Sequence, residues 1–155
     1  MIIPNEYIIP TKIRWRCLYC GAQCKLCCAS LVYHGSKKYG NVWVCPTPDC
    51  DAYVGAHKGT NIPKGHPANA ELRELRMQCH REFDPIWQRR MQSIPPHKPE
   101  GKRKQEVRHG LYKELAEYME LPIEMTHFAC FSMSQCLKAF EFIRITIEKE
   151  IGELA

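Results

Sequence analysis

The spacing of hydrophobic positions changes near residue 69, and that change gives the chain its first division. Before it, apolar residues alternate with polar ones or gather in short aromatic runs. "TKIRWRC" alternates through Ile13, Trp15 and Cys17 and reads as a short strand. "ASLVYHG" and "GNVWVC" are two further β-like runs, rich in Val, Tyr and Trp, separated by the glycine-bounded turn "GSKKYG". "DAYVG" reads as a last short strand. Residues 11–57 are thus expected to form a small antiparallel β unit, closed by the turn-rich "GTNIPKGHPAN".

Beyond residue 69 the period is helical. Asn69 is an expected N-cap, and Leu72, Leu75, Cys79, Phe83 and Ile86 fall on one face. Asp84-Pro85 predicts a bend or restart, because proline lacks the amide donor that a helix interior uses. "SIPPHKPEGKRKQ" (93–105), with three prolines, one glycine and four Lys or Arg, reads as an exposed linker. A further helix is expected near 106–120, with Leu111, Leu115, Tyr118 and Met119 on one face, ending before Pro122. The last starts at Ser132, where Ser132 and Gln135 have capping-box spacing. Cys136, Phe140, Ile143, Ile147 and Ile151 line its apolar face.

Cysteine usage adds chemistry to this outline. Seven of the ten cysteines fall between Cys17 and Cys50. The N-terminal stretch "MIIPNEYIIPTKIRWRC" carries Glu6 and two prolines and has no continuous apolar core, so no secretory signal and a cytoplasmic location are expected. In that compartment clustered cysteines point to a metal rather than to disulfides. Cys17-Leu-Tyr-Cys20-Gly21 has the spacing of a zinc knuckle, and 24 residues separate Cys20 from Cys45, enough for one hairpin. The hairpin would return Cys45 and Cys50 to the first pair, completing the four ligands that one structural Zn2+ requires. A local set, Cys17, Cys20, Cys24 and Cys27, is the alternative; it leaves Cys45 and Cys50 without a role. Cys79, Cys130 and Cys136 are expected in apolar cores.

The fold class is therefore α+β: a small antiparallel β zinc ribbon followed by a helical region of three to four helices. The expected organisation is a zinc-ribbon module over 1–66, a helix packing on it over 67–92, a basic Pro-rich linker over 93–105 and a C-terminal helical pair over 106–155.

Charge is distributed unevenly. Residues 1–68 hold eight Lys and Arg against three Asp and Glu, a net +5; residues 69–110 hold ten against six, +4; residues 111–155 hold four against eight, −4. A basic ribbon suits nucleic acid. A catalytic role would begin from His57, Lys58, Thr60, His66 or His80, but adjacent Cys79 and His80 point about 100° apart on a helix. Four thiolates also leave zinc no open position for water. No Walker loop, paired-carboxylate motif or Ser-His-Asp signature appears.

The segments "CLYCG", "YGNVWVCPTPDCDAYVGAHKGT" and "PANAELRELRMQCHREFDPIW" closely resemble a family of small zinc-finger-containing proteins of phages and prophages, over roughly residues 15 to 140. Cys24, Cys27, Cys28 and the "GKRKQ" segment depart from that pattern. More distantly, the ribbon is similar to the C-terminal zinc ribbons of type IA topoisomerases, which stack single-stranded DNA on exposed aromatics. That likeness implies Tyr19, Tyr33, Tyr39, Trp43 and Tyr53 as stacking residues, with Trp43 and Tyr53 also open to a place in the core of so small a sheet. It also implies Lys37, Lys38 and Lys58 as phosphate contacts, with His57 beside them. The expected role is a non-catalytic, phage- or mobile-element-encoded accessory protein that binds single-stranded or structured nucleic acid in the host cytoplasm. The alternative is a module that docks on a host enzyme or defence protein. A homodimer through the C-terminal helices is a further expected association; a membrane is not, since no run of 18 apolar residues occurs.

Overall fold

The computed structural model describes residues 1–34, 39–96 and 99–154. Two compact units divide the chain, Met1–Arg73 and Glu74–Ala155.

The first unit is built on a three-stranded antiparallel sheet in the order β1 (Lys25–Cys27), β2 (Val42–Val44), β3 (Tyr53–Gly55). Register follows the pleat. Leu26, Trp43 and Val54 stand in one row, and Cys27, Val42 and Gly55 in the next, so successive residues face opposite sides. Leu26, Trp43 and Val54 join Cys17, Cys24, Cys45, Ala52 and Ala56 in one core. On the other face Cys27, Val42 and Val44 are covered by Ile3, Ile8, Leu31, Val32 and Tyr33. The N-terminal arm runs beside β1, with Ile9 N–H donating to the Leu26 carbonyl at 2.8 Å.

Among the described residues, two of the expected strands do not form. "TKIRWRC" contributes a single bridge, Arg16 to Gln23, because the chain reverses at once through the Cys17–Cys20 turn. "ASLVYHG" forms a 3-10 turn at Ala29–Leu31 instead of a strand. Its apolar residues lie across the sheet face, where burial rather than ladder pairing satisfies them.

The second unit holds most of α1 (Ala70–Gln92), together with α2 (Glu100–Met119) and α3 (Met133–Leu154). Asn69 caps α1, its side-chain oxygen accepting the Leu72 amide at 3.0 Å. Pro85 neither ends nor restarts this helix, which is continuous through it. Phe83 and Ile86, both fully buried, anchor the backbone on either side and offset the missing hydrogen bond. α2 begins at Glu100, not near 106, so Glu100–Gln105 is helical. Its Lys, Arg and Gln are good helix formers, and Pro99 stands at the N-cap. The capping box of α3 forms as expected: Ser132 N–H donates to Gln135 Oε1 at 2.8 Å, and Gln135 N–H to Ser132 Oγ at 3.3 Å.

Phe83, Phe128, Phe131, Leu111, Leu115, Cys79 and Cys136 are buried in this unit, with Phe128 edge-on to Phe83 and Phe131. The buried side of α3 runs through Cys136, Ala139, Phe142, Ile143 and Thr146, and Ile151 is exposed instead of lining it. Arg90 of α1 joins the three helices, pairing with Glu114 of α2 and, at 2.7 Å, with Glu150 of α3. Among the described residues no helix is long and apolar enough to cross a membrane.

Candidate metal centre

The sulfurs of Cys17, Cys20, Cys45 and Cys50 converge, all lying within 4.8 Å of one another. Each pair occupies the tip of a hairpin. In the first, Cys17 N–H donates to the Ala22 carbonyl and Gly21 N–H to the Cys17 carbonyl, both at 2.9 Å. Gly21 has φ +74°, a left-handed conformation that glycine adopts without steric cost. In the second, Cys45 N–H donates to the Ala52 carbonyl at 2.9 Å and Cys50 N–H to the Thr47 carbonyl at 3.0 Å, while Pro46 and Pro48 stiffen the turn. Because β1 continues the first hairpin and β2–β3 form the second, pairing β1 with β2 carries the two tips together.

Distances test the fit. A tetrahedral zinc with Zn–S bonds of ~2.3 Å sets its sulfurs ~3.8 Å apart. The Cys17–Cys50 and Cys20–Cys45 sulfurs are 3.7 and 3.4 Å apart, close to that edge and far beyond the ~2.05 Å of a disulfide. Four thiolates make a closed, structural zinc site. Thr47 Oγ1, 3.2 Å from Cys20 Sγ, ties one turn to the other. The amino group of Met1 donates to the carbonyls of Cys45 (3.2 Å), Cys50 (2.9 Å) and Thr47.

Electrostatics separate the thiols. The Thr47 hydroxyl contact, followed by the Ala22 amide, pulls Cys20 down to about 6, so it ionises first. Burial pushes Cys50 up to about 12 and raises Cys17. An incoming zinc therefore displaces protons from these sulfurs as it binds.

The local alternative set does not assemble. Cys24 shares the core with Cys17 and Cys45 but lies outside the ligand group. Cys27 faces the opposite side of the sheet. Burial pushes these thiols up to about 12 and about 11, which keeps them protonated. Cys28 accepts a hydrogen bond from Ser30 Oγ at 3.2 Å. Among the described residues no other cluster of three or more metal-ligating side chains forms. Cys79 and Cys136 are core residues, as expected, with the Cys79 thiol donating to the Cys136 carbonyl at 3.6 Å.

The aromatics divide. Trp43 is 0% exposed and its Nε1 donates to the Asn61 carbonyl at 2.9 Å, so it belongs to the core and offers no face to a base. Tyr53 is half-buried, and the Arg73 guanidinium covers its ring at 3.9 Å. Tyr33 is half-buried against Tyr39, ring centres 4.6 Å apart. Tyr19 and Tyr39 are 49% and 54% exposed. His57 and Lys58 lie exposed in a tight turn: Thr60 N–H and Oγ1 both donate to the His57 carbonyl at 2.9 Å, and Gly59 takes φ +75°. Lys37 and Lys38 lie outside the described residues.

Sequence reasoning missed Asp51 and Arg73. Asp51 follows the last ligand, accepts the Ala70 amide at 3.1 Å and pairs with Arg73 at 3.4 Å. With Tyr19, Thr47 and Asn69 it lines a shallow cleft of about 340 Å³ beside the cysteines. Asp directly after a ligand cysteine and Arg four residues into a helix are the available signals, and neither is specific.

The chain matches the zinc-finger-containing domain DUF3268 over residues 13–146. No curated protein and no solved structure gives a significant match to it.

Proposed function

From the premise that the chain belongs to the DUF3268 family of zinc-finger-containing domains, we propose that it binds nucleic acid through its zinc unit and has no catalytic role at the metal. The observation that carries this reading is the exposure of Tyr19 and Tyr39 on a unit of net charge +5. Tyr19 stands at the tip of the first zinc turn, held by the Asn69 amide donating to its hydroxyl at 3.2 Å. An aromatic fixed at a rigid tip keeps its ring available and loses little entropy on stacking. Each base stacked on such a ring contributes about 1–3 kcal/mol, and lysines supply the backbone attraction. Tyr33 supports Tyr39, while Lys37, Lys38, Lys58 and His57 extend the basic character. Single strands in a host cytoplasm are the target under this reading.

Fluorescence anisotropy of labelled single-stranded DNA and RNA against the zinc-loaded chain tests it. Affinity should fall steeply with salt, and Tyr19→Ala should weaken binding about fivefold or more. No binding at low salt, or binding indifferent to both Tyr19→Ala and Tyr39→Ala, would refute it. Docking on a protein is the second reading, favoured by Leu18, 68% exposed beside Tyr19. A stable protein complex that Leu18→Asp abolishes, with no oligonucleotide affinity, would select it.

A further inference from the structure

Away from the zinc, the helical unit carries a cavity of about 820 Å³ between α2 and the 3-10 turn at Ile123–Met125. Lys104, Arg108 and Tyr112 recur every four residues along α2 and so form one stripe on its surface. All three line the cavity, with His109 beside them and His127 opposite. Glu124 is the carboxylate among the described lining residues. The Arg108 guanidinium lies 5.5 Å from the centre of the Tyr112 ring, and that ring packs on Phe83 of α1 at 4.7 Å. Arg108 is exposed at the edge of the cavity, with its guanidinium near that ring. A row of cations on a helix is ordinarily a solvated face; here the row borders a concavity, and the imidazole of His127 faces it from a separate loop.

We propose that this cavity binds a phosphate-bearing ligand of nucleotide size. Lys104 Nζ lies 5.5 Å from the centre of the Trp87 ring. Once its flexible stem swings toward the cavity, this ammonium and the planar Arg108 guanidinium, four residues apart, present several N–H donors to one oxyanion, and charge-assisted bonds of that kind are the strong ones. The volume lies within the roughly 300–1,000 Å³ of small-molecule sites. It exceeds what a phosphate alone would fill, so the anion is carried on a larger body. Tyr112 and Ile123 supply the apolar wall against which a ring can lie. This reading stands apart from the zinc unit and does not rest on strand binding there.

Calorimetric titration of the full, zinc-loaded chain with ADP and, separately, with inorganic pyrophosphate at low salt tests it. Saturable one-to-one ADP binding is expected, weakened about tenfold or more in K104Q/R108Q. Both residues are exposed, so the variant should keep its melting temperature. Glu124→Gln should strengthen binding by removing the opposing charge. Pyrophosphate binding as tightly as ADP would mark the phosphates as the recognised part; tighter ADP binding would show that the nucleoside also contacts the wall. No binding of either probe at millimolar concentration, or ADP binding unchanged in K104Q/R108Q, overturns the proposal.

Discussion

Replacing Cys45 by serine should unfold the zinc unit while leaving the helical signal of α2 and α3. Three strands of three residues each are too small to stand without a staple, since short sheets and small cores are marginal in water. A structural zinc contributes about 10–16 kcal/mol to a small metal-dependent fold, at or above the ~5–15 kcal/mol of a whole domain's net stability. Cys45 is fully buried between Trp43 and the second turn, so serine there loses a ligand and buries a hydroxyl as well. The informative control is Cys24→Ala. Cys24 is nearly as buried and lies in the same core, yet is no ligand. That variant should keep one zinc per chain and lose only about 1–2 kcal/mol, the size of a small core truncation. Zinc content by elemental analysis and the near-ultraviolet signal of Trp15 and Trp43 read both outcomes. Full zinc occupancy in Cys45→Ser, or equal zinc loss in Cys24→Ala, would refute the ligand assignment and revive the local cysteine set.

Three other outcomes are expected. Zinc affinity should fall on acidification: the raised thiols of Cys17 and Cys50 hold protons in the metal-free state that binding must expel, so each proton added favours release. The dependence should steepen below about 6, where Cys20 also takes a proton; a metal-indicator titration across pH measures it, and a flat profile would contradict it. Gly21→Ala should weaken the zinc unit by ~1 kcal/mol or somewhat more through its left-handed φ alone, because a Cβ there meets nothing within 4 Å. Gly21→Asn should recover part of that loss in chelator-competition assays. Ser132→Ala should lower the stability of the helical unit by about 1 kcal/mol in urea unfolding, through loss of its half of the capping box.

How far the chain could be read beforehand depends on the range of the interactions. The four ligands were legible because Cys-x2-Cys-Gly and the proline-braced Cys45–Cys50 turn are local patterns with one mechanical use. β2, β3 and the start of α3 were likewise written in neighbouring residues. β1 was not: Lys25–Cys27 sits in a run of cysteines, and only its pairing with β2 makes it a strand. "ASLVYHG" misled because residues that favour strands also favour burial, and here they roof a sheet. At Pro85 the expected restart does not occur, since the packing of Phe83 and Ile86 carries the helix through from outside the local sequence. The burial of Trp43 follows from its central place in the sheet. Thr47, Asp51 and Arg73 escaped notice because each is an ordinary surface residue until the turns bring them together.

The Asp51 contact carries a consequence in time. Its carboxylate accepts the Ala70 amide and holds Arg73, joining the exit of the second zinc turn to the first turn of a helix 23 residues long. A helix end ordinarily frays on its own clock. This one is clamped by a residue whose position the ion fixes, so the exchange of the Ala70 amide with solvent should follow the residence time of the metal. Hydrogen exchange at that one position becomes a report on how often the zinc lets go.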